Sequence, residues 1–351
     1  MIQKAICMAF AVVAMALTAM PGAFGFQDVL ETPVIKSPLA EKTLLNAVTC
    51  AGSRLVSVGW RGHILYSDDQ GKHWAQASVP LSSDLTDVCF PTPQKGWVVG
   101  HDGVVLHSMD GGVTWVKNLD GFAALKFMQE YYAAHPARDP NANERLQHNV
   151  KQLAGEGADK PFLSVYFNDE LNGFIVGPFN LIFRTKDGGK NWEPYFDRTE
   201  NPRFLHLNVI RCIGQDWFIA GEQGLVMKYD PKADRFRKLD TGYRGSLFGL
   251  TGAPGKVLVF GLRGNAYLTK DGGATWKKAN TAVPASVTGG AITEDGRFVL
   301  VSQVGIILSA DGINFQRLKM DRPFPAVSVA MTGKNQAVLV GLAGAKALPL
   351  K

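Results

Sequence analysis

Apolar runs in this chain come in pairs, and the pairs recur. Each unit is an apolar run ending in Gly, a short polar step, a second apolar run, then Ser/Thr-x-Asp-x-Gly-x-x-Trp. LVSVGWRGHILYSDDQGKHW ends at Trp74, GWVVGHDGVVLHSMDGGVTW at Trp115, GFIVGPFNLIFRTKDGGKNW at Trp192 and VLVFGLRGNAYLTKDGGATW at Trp276. Two copies are degenerate, WFIAGEQGLVMKYDPKADRF to Phe236 and FVLVSQVGIILSADGINF to Phe315, and a seventh begins at Ala337 as AVLVGLAG. From aromatic to aromatic the steps are 41, 77, 44, 40 and 39 residues. One four-stranded propeller blade needs roughly 40 to 50 residues, so four steps are blade-sized and one is a blade plus an insertion.

Short apolar or alternating runs bounded by Gly, Asp and Pro favour strands over helices. In the first complete unit the pattern predicts an innermost strand over Leu45–Thr49, a second over Leu55–Val58, a third over His63–Tyr66 and an outer one over Trp74–Ser78. The seventh unit lacks its outer strands, and residues Asp28 to Ile35 are expected to complete it and close the ring, because an open edge invites aggregation. From Gly121 to Lys160 the period turns helical: Phe122, Leu125, Met128 and Tyr132 form one stripe, Leu146, Val150 and Leu153 another, with HPARDPNAN between. This insertion follows the outer strand of blade two. It should therefore emerge on the face of the second-to-third strand loops and cover or rim that face.

The Asp-box turns have a mechanical task. Asp69, Asp110, Asp187, Asp271 and Asp311 can fold back onto amides of their own turns, the glycines permit positive φ, and Trp74, Trp115, Trp192 and Trp276 can pack beneath. A motif copied into nearly every blade marks a fold, not one active centre.

Composition refines the picture. Lys4, the apolar run Ala5–Ala19 and the small residues at Ala23 and Gly25 read as a secretory signal over 1–25, leaving a mature ring over 26–351 in the periplasm without stable membrane insertion. Removing Lys4 lowers the formal charge from +6 to +5, mildly basic and evenly spread, which does not call for nucleic acid. Cys50, Cys89 and Cys212 remain, an odd number that reads as buried small apolar residues of the innermost strands, with a Cys50–Cys89 bridge left open. The seven His are scattered, so no metal site is indicated, and no cofactor motif occurs.

Position-specific chemistry falls in the second-to-third strand loops. Two residues past each strand-ending Gly stand Arg61, Asp102, Phe179, Gln223 and Arg263, with Val304 and Ala343 in the degenerate copies. Types this varied are not dictated by the fold. Arg61 and Arg263 are the leading partner-facing candidates, joined by Trp60 and by the inter-blade residues Arg198, Arg203, Phe204, Tyr243, Arg244, Arg322 and Phe324. Arginine beside aromatics suits a carboxylate, an acidic peptide or a chain terminus.

The hhhhGxxGhhhxSxDGGxTW unit, repeated over nearly the whole mature chain, resembles the photosystem II stability/assembly factor family of BNR propellers. The resemblance implies an all-β, seven-bladed β-propeller with Asp-box (BNR) repeats and one helical insertion. It also implies an assembly chaperone that binds a membrane-protein precursor through an arginine-rich patch, to which Arg61 and Arg263 match by loop placement. The insertion followed by GADKPFLSVYF, and the ending KALPL, are similar to exported relatives that accompany RND-type exporters. Sialidases share the Asp-box, so a glycoside hydrolase is the alternative; Asp102, Glu222, Asp197, Glu200, Asp321 and Tyr243 could reach the face, but the Arg-Ile-Pro motif is absent. No Gly-x-Ser-x-Gly elbow or phosphate loop occurs. The expectation is a monomeric, non-enzymatic ring that docks an acidic or terminal segment of a membrane or envelope protein. A stable structural subunit of an envelope complex would share these features.

Overall fold

The computed structural model describes residues 27–320 and 322–350. The expected signal segment lies outside them, as does Asp321. Seven antiparallel sheets follow one another along the chain, six of four strands and the last of three. Their innermost strands are Leu45–Ala51, Leu85–Cys89, Ser164–Phe167, Leu207–Ile213, Leu247–Ala253, Val287–Ile292 and Ala326–Met331, and they surround a central channel of about 580 Å³. The ring is a seven-bladed β-propeller, and the strands predicted for the first unit fall within a residue or two of those found.

Packing explains why each second strand is mostly apolar and why, in every blade but the sixth, where it ends at Ser302, it runs into a Gly. Both faces of that strand are covered by neighbouring blades, as at Leu55, Val56, Ser57 and Val58. Its last residue then passes under the connection entering the blade: a β-carbon on Gly59 would lie 2.1 Å from the Leu44 carbonyl, and one on Gly221 2.1 Å from that of His206. The second residue of several inner strands ties adjacent blades together, Asn46 donating to the Leu85 carbonyl at 2.7 Å and Asn208 to that of Leu247 at 2.8 Å.

The Asp-box turns form as the motif predicts. Asp110 Oδ1 accepts from Val113 N and Thr114 N, both at 3.0 Å, Thr114 Oγ1 donates to Oδ2 at 2.6 Å, and Trp115 Nε1 caps the Gly112 carbonyl at 3.0 Å. In blade one His73 replaces the threonine, its Nδ1 at 2.6 Å from Asp69 Oδ2. These donors hold the Asp69, Asp110, Asp187, Asp271 and Asp311 carboxyls below the ordinary carboxylate range, against whatever burial they have. A carboxyl whose folded pKa is depressed stabilises the fold above its unfolded pKa, near 4, and stops doing so as pH falls through the folded value. Melting temperature should therefore be level from pH 7 to about 5 and fall steeply below about 4, with the fall blunted in Asp110→Asn. A melting temperature unchanged at pH 3 would contradict this account.

Two expectations are corrected. Among the described residues blade seven has three strands, the third being Gly344–Pro349, and Asp28–Ile35 does not complete it. That segment instead lies along the outer edge of blade one: Ser82 N donates to the Val29 carbonyl at 2.9 Å, Val34 N to that of Val79 at 3.1 Å, and Leu30 is buried with Val79 and Leu81. The helical insertion is a hairpin of α1, Gly121–Ala134, and α2, Pro140–Gly155, capped by the Asp120 and Asp139 side chains. Leu125, Met128 and Tyr132 are buried with Leu146, Val150 and Leu153 as the stripes require, but Phe122 is 65% exposed. The hairpin packs on the outer side of blades two and three, where Tyr131 donates to Glu193 at 2.9 Å and Tyr132 to Asp197 at 2.8 Å. It rims the face without roofing it, since no helical residue lines the channel.

Candidate functional site

The face opposite the Asp-box turns carries the second-to-third strand turns and the inter-blade connections; it is called the top face. In five blades the middle residue of this turn is left-handed, with φ of 53° at Arg61, 56° at Asp102, 54° at Phe179, 52° at Gln223 and 54° at Arg263. Such a backbone costs a residue with a β-carbon about 1–2 kcal/mol and glycine almost nothing. The turn alone therefore favours glycine, yet five residues with full side chains stand there, and four of them, Arg61, Phe179, Gln223 and Arg263, are exposed. Strain of this kind gathers at functional surfaces.

Around the mouth the candidates separate into two groups. On blades three to five they form a crescent. The exposed Phe179 ring meets His206 edge-on at 4.8 Å, Arg203 donates to Gln223 Oε1 at 2.8 Å, and the Tyr243 hydroxyl donates to the Leu262 carbonyl at 3.2 Å. Arg244 pairs with the exposed Asp240 at 3.0 Å, a pair worth little in water, and the exposed Arg263 follows on the next turn. Burial pushes the Tyr243 phenol up, with the Arg263 charge acting against it. The second group, Trp60 and Arg61, stands on blade one. Trp60 is 51% exposed; the Arg61 N–H is fixed by Asp84 Oδ1 at 2.8 Å, and its guanidinium has no partner among the described residues. Arg61 and Arg263 thus share one face and neither is spent in a salt bridge, but they stand on blades one and five, on opposite sides of the mouth.

Several sequence candidates prove structural. Arg198 is clamped between Glu193 and Asp234, each at 2.8 Å, and Phe204 stacks on Phe196 at 5.2 Å. Phe324 is buried in the core of blades six and seven, while Arg322 is exposed. Asp102 accepts from Ser83 at 2.7 Å and is half-buried. The carboxylates considered for hydrolysis are also engaged: Asp197 by Tyr132, Glu200 by Arg237 at 2.7 Å, and Glu222 by the His206 N–H at 3.2 Å.

Sequence reasoning missed the charges inside the channel. Asp87, Ser164 and Arg211 meet across the inner strands of blades two, three and four. Ser164 donates to Asp87 at 2.7 Å, and Arg211 Nη1 reaches Ser164 at 2.8 Å and Asp87 at 3.1 Å. The signal was present: Asp in LTDVC and Arg in LNVIRCI interrupt strands that are otherwise apolar or neutral. Among the described residues the three cysteines, Cys50, Cys89 and Cys212, are free thiols on inner strands, and burial raises each, Cys89 to about 12 and Cys212 to about 11, so they are inert at neutral pH. Among the described residues no three His, Cys, Asp or Glu side chains gather to hold a metal, and no helix is long and apolar enough to cross a membrane.

The model of the photosynthesis system II assembly factor YCF48 family matches residues 66–131 and 144–345. The chain belongs to this family. Among curated relatives, photosystem II assembly protein Ycf48 of Synechococcus sp. (strain JA-2-3B'a(2-13)) is 25% identical over 277 residues, covering 61% of this chain and 81% of its own. The chloroplastic photosystem II stability/assembly factor HCF136 of Arabidopsis thaliana is 22% identical over 307 residues, covering 79% and 68%. Among solved structures, YCF48 bound to D1 peptide superposes with a TM-score of 0.63 at 14% identity, over 88% of this chain and 94% of that one. YCF48 from Cyanidioschyzon merolae gives 0.62 at 16% identity, over 87% and 94%. At these identities the structural likeness carries the fold. The relatives are named as photosystem II assembly factors, which sets the frame for function.

Proposed function

We propose that this chain is a periplasmic, non-enzymatic binding module that assists assembly of a membrane or envelope protein complex, docking an acidic or terminal segment of its partner on the top face. The observation that carries this reading is the strained, solvent-facing set of Arg61, Phe179, Gln223 and Arg263, with Tyr243 and Arg244 beside them. Guanidinium groups offer paired donors to a carboxylate, and the aromatics supply apolar area at low entropic cost. That a related YCF48 was solved with a D1 peptide agrees with recognition of a membrane-protein segment. Association with an RND-type exporter would give the partner an envelope setting.

The test is co-purification from gently solubilised envelopes, native protein against Arg61→Glu/Arg263→Glu, with partners identified by mass spectrometry. A membrane protein recovered with the native form and lost with the folded variant supports the reading. Recovery of the same partner by both forms sinks it, and recovery of none with either turns attention to glycan hydrolysis. Arg263→Gly sharpens the test. It relieves the left-handed strain, so stability should hold or rise by up to about 1 kcal/mol while partner recovery falls.

A further inference from the structure

Among the described residues blade seven has three strands, and the position of a fourth is built on every side. Its third strand, Gly344–Pro349, pairs with Gln336–Gly341 on one side, and among the described residues no strand pairs with the other. Leu350 N donates to the Asn335 carbonyl at 2.8 Å. Because bonding residues alternate along an antiparallel pair, Lys346 and Leu348 bond inward, while Ala345, Ala347 and Pro349 turn their backbone groups outward. Pro349 blunts one end of this edge, since it has no N–H to offer.

The neighbouring wall is equally prepared. In blades two and six the Asp-box turn receives the end of the preceding blade's outer strand. Trp115 N donates to the Ser78 carbonyl at 3.0 Å and Ser78 N to that of Val113 at 2.9 Å; Phe315 N donates to the Asn280 carbonyl at 2.9 Å and Asn280 N to that of Ile313 at 2.7 Å. The corresponding groups in blade one are the Trp74 N–H and the Lys72 carbonyl, and the strand they would receive is the one blade seven lacks. The upper end is formed too. The Glu41 carbonyl lies 2.0 Å from a β-carbon built on Gly344, as the Tyr243 carbonyl does at Gly224. The connection into blade one is therefore in its normal place, whereas Ser37, just upstream, is held on the side chain of Gln76 at 2.9 Å.

We propose that this vacant fourth-strand position is a second binding site, separate from the top face, that takes an extended segment of another protein by strand addition. Its floor specifies the segment. Trp74, Ala345 and Ala347 share one apolar cluster, and at the matching place in complete blades stand Ala77, buried with Trp115, and Ala279, buried with Phe315. A small apolar residue therefore belongs over Trp74. Lys346 is the one charged residue of the accepting strand and Lys72 is exposed on the adjoining turn, so the facing residue should be acidic. A second copy of this chain fits poorly. Pairing two such edges around Lys346 sets lysine against lysine, and the next register sets Ala345 against Pro349.

The probes are two synthetic peptides, acetyl-(Glu-Ala)4-amide and acetyl-(Lys-Ala)4-amide, added to the full chain, with affinity and amide exchange across 342–350 as readouts. The glutamate peptide should bind at least about tenfold tighter than the lysine peptide at low salt and slow exchange at Ala345 and Ala347. Lys346→Glu should reverse the preference while leaving recovery of a top-face partner unchanged. Ala347→Pro removes an outward N–H and should abolish binding; should it fail to fold, the charge reversal decides alone. No protection of 342–350 by either peptide at millimolar concentration overturns the proposal. So does protection already present without peptide, whether independent of protein concentration, from this chain's own residues, or growing with it, from a second copy.

Discussion

Asp87→Ala is expected to lower unfolding free energy by about 3 kcal/mol, the lower end of the range for breaking a buried ion pair. Loss of the carboxylate strands Arg211 in the channel and leaves the Ser164 hydroxyl and the Val165 N–H, 3.1 Å from Asp87, without their acceptor. Three blades share the network, so the damage spreads beyond blade two. The Arg211 side chain is 28% exposed to the channel, which holds the cost near the low end. Replacing both charges, as in Asp87→Val with Arg211→Met, should recover most of the loss, because a matched apolar pair leaves nothing unpaired. Urea unfolding followed by tryptophan fluorescence, with an unchanged slope, is the check. A cost below about 1 kcal/mol for Asp87→Ala would mean that the network does not hold the blades together.

Gly264→Ala is expected to cost at least about 3 kcal/mol, from left-handed strain and overpacking together. Gly264 has φ of +70°, and its β-carbon would lie 1.9 Å from the Val283 carbonyl, so the connection between blades five and six must move. That connection is anchored on the same residue, Thr281 Oγ1 donating to the Gly264 carbonyl at 2.7 Å. Gly255→Ala is the control. It has φ of +79° but nothing within 4 Å, and should show the strain alone, about 1 kcal/mol. Equal losses in the two variants, measured by the same urea titrations, would show that close approach of the connection contributes nothing.

The repeat made most of the ring legible. Ser/Thr-x-Asp-x-Gly-x-x-Trp is a local motif whose hydrogen bonds run within one turn, as from Ser108 to Trp115, so sequence spacing alone places it. The hairpin's stripes were equally readable, because helical periodicity is local; Phe122 strayed because the buried face runs through Gly121, Ala124, Leu125, Met128 and Tyr132, and Phe122 stands one position round the helix from Gly121. Arg198, Phe204 and Phe324 were misread for the opposite reason. What occupies them, Glu193 with Asp234, Phe196, and the core of blades six and seven, is decided by which strand ends meet across a seam.

The sequence by itself determined the number of blades, the Asp-box turns, the place of the helical insertion and the face on which Arg61 and Arg263 stand, since all follow from short-range pattern and strand order. Only the tertiary structure decided that Phe179, Gln223, Tyr243, Arg244 and Arg263 form one crescent while Arg61 stands apart, because curvature of the ring sets those neighbours. It alone decided that Asp87, Ser164 and Arg211 converge, three residues from three inner strands that closure of the ring brings together. The course of residues 28–37 also lay beyond the pattern: their backbone found partners on blade one, at Val79 and Gln76, before reaching blade seven. Pairing between distant edges depends on geometry that no local motif encodes.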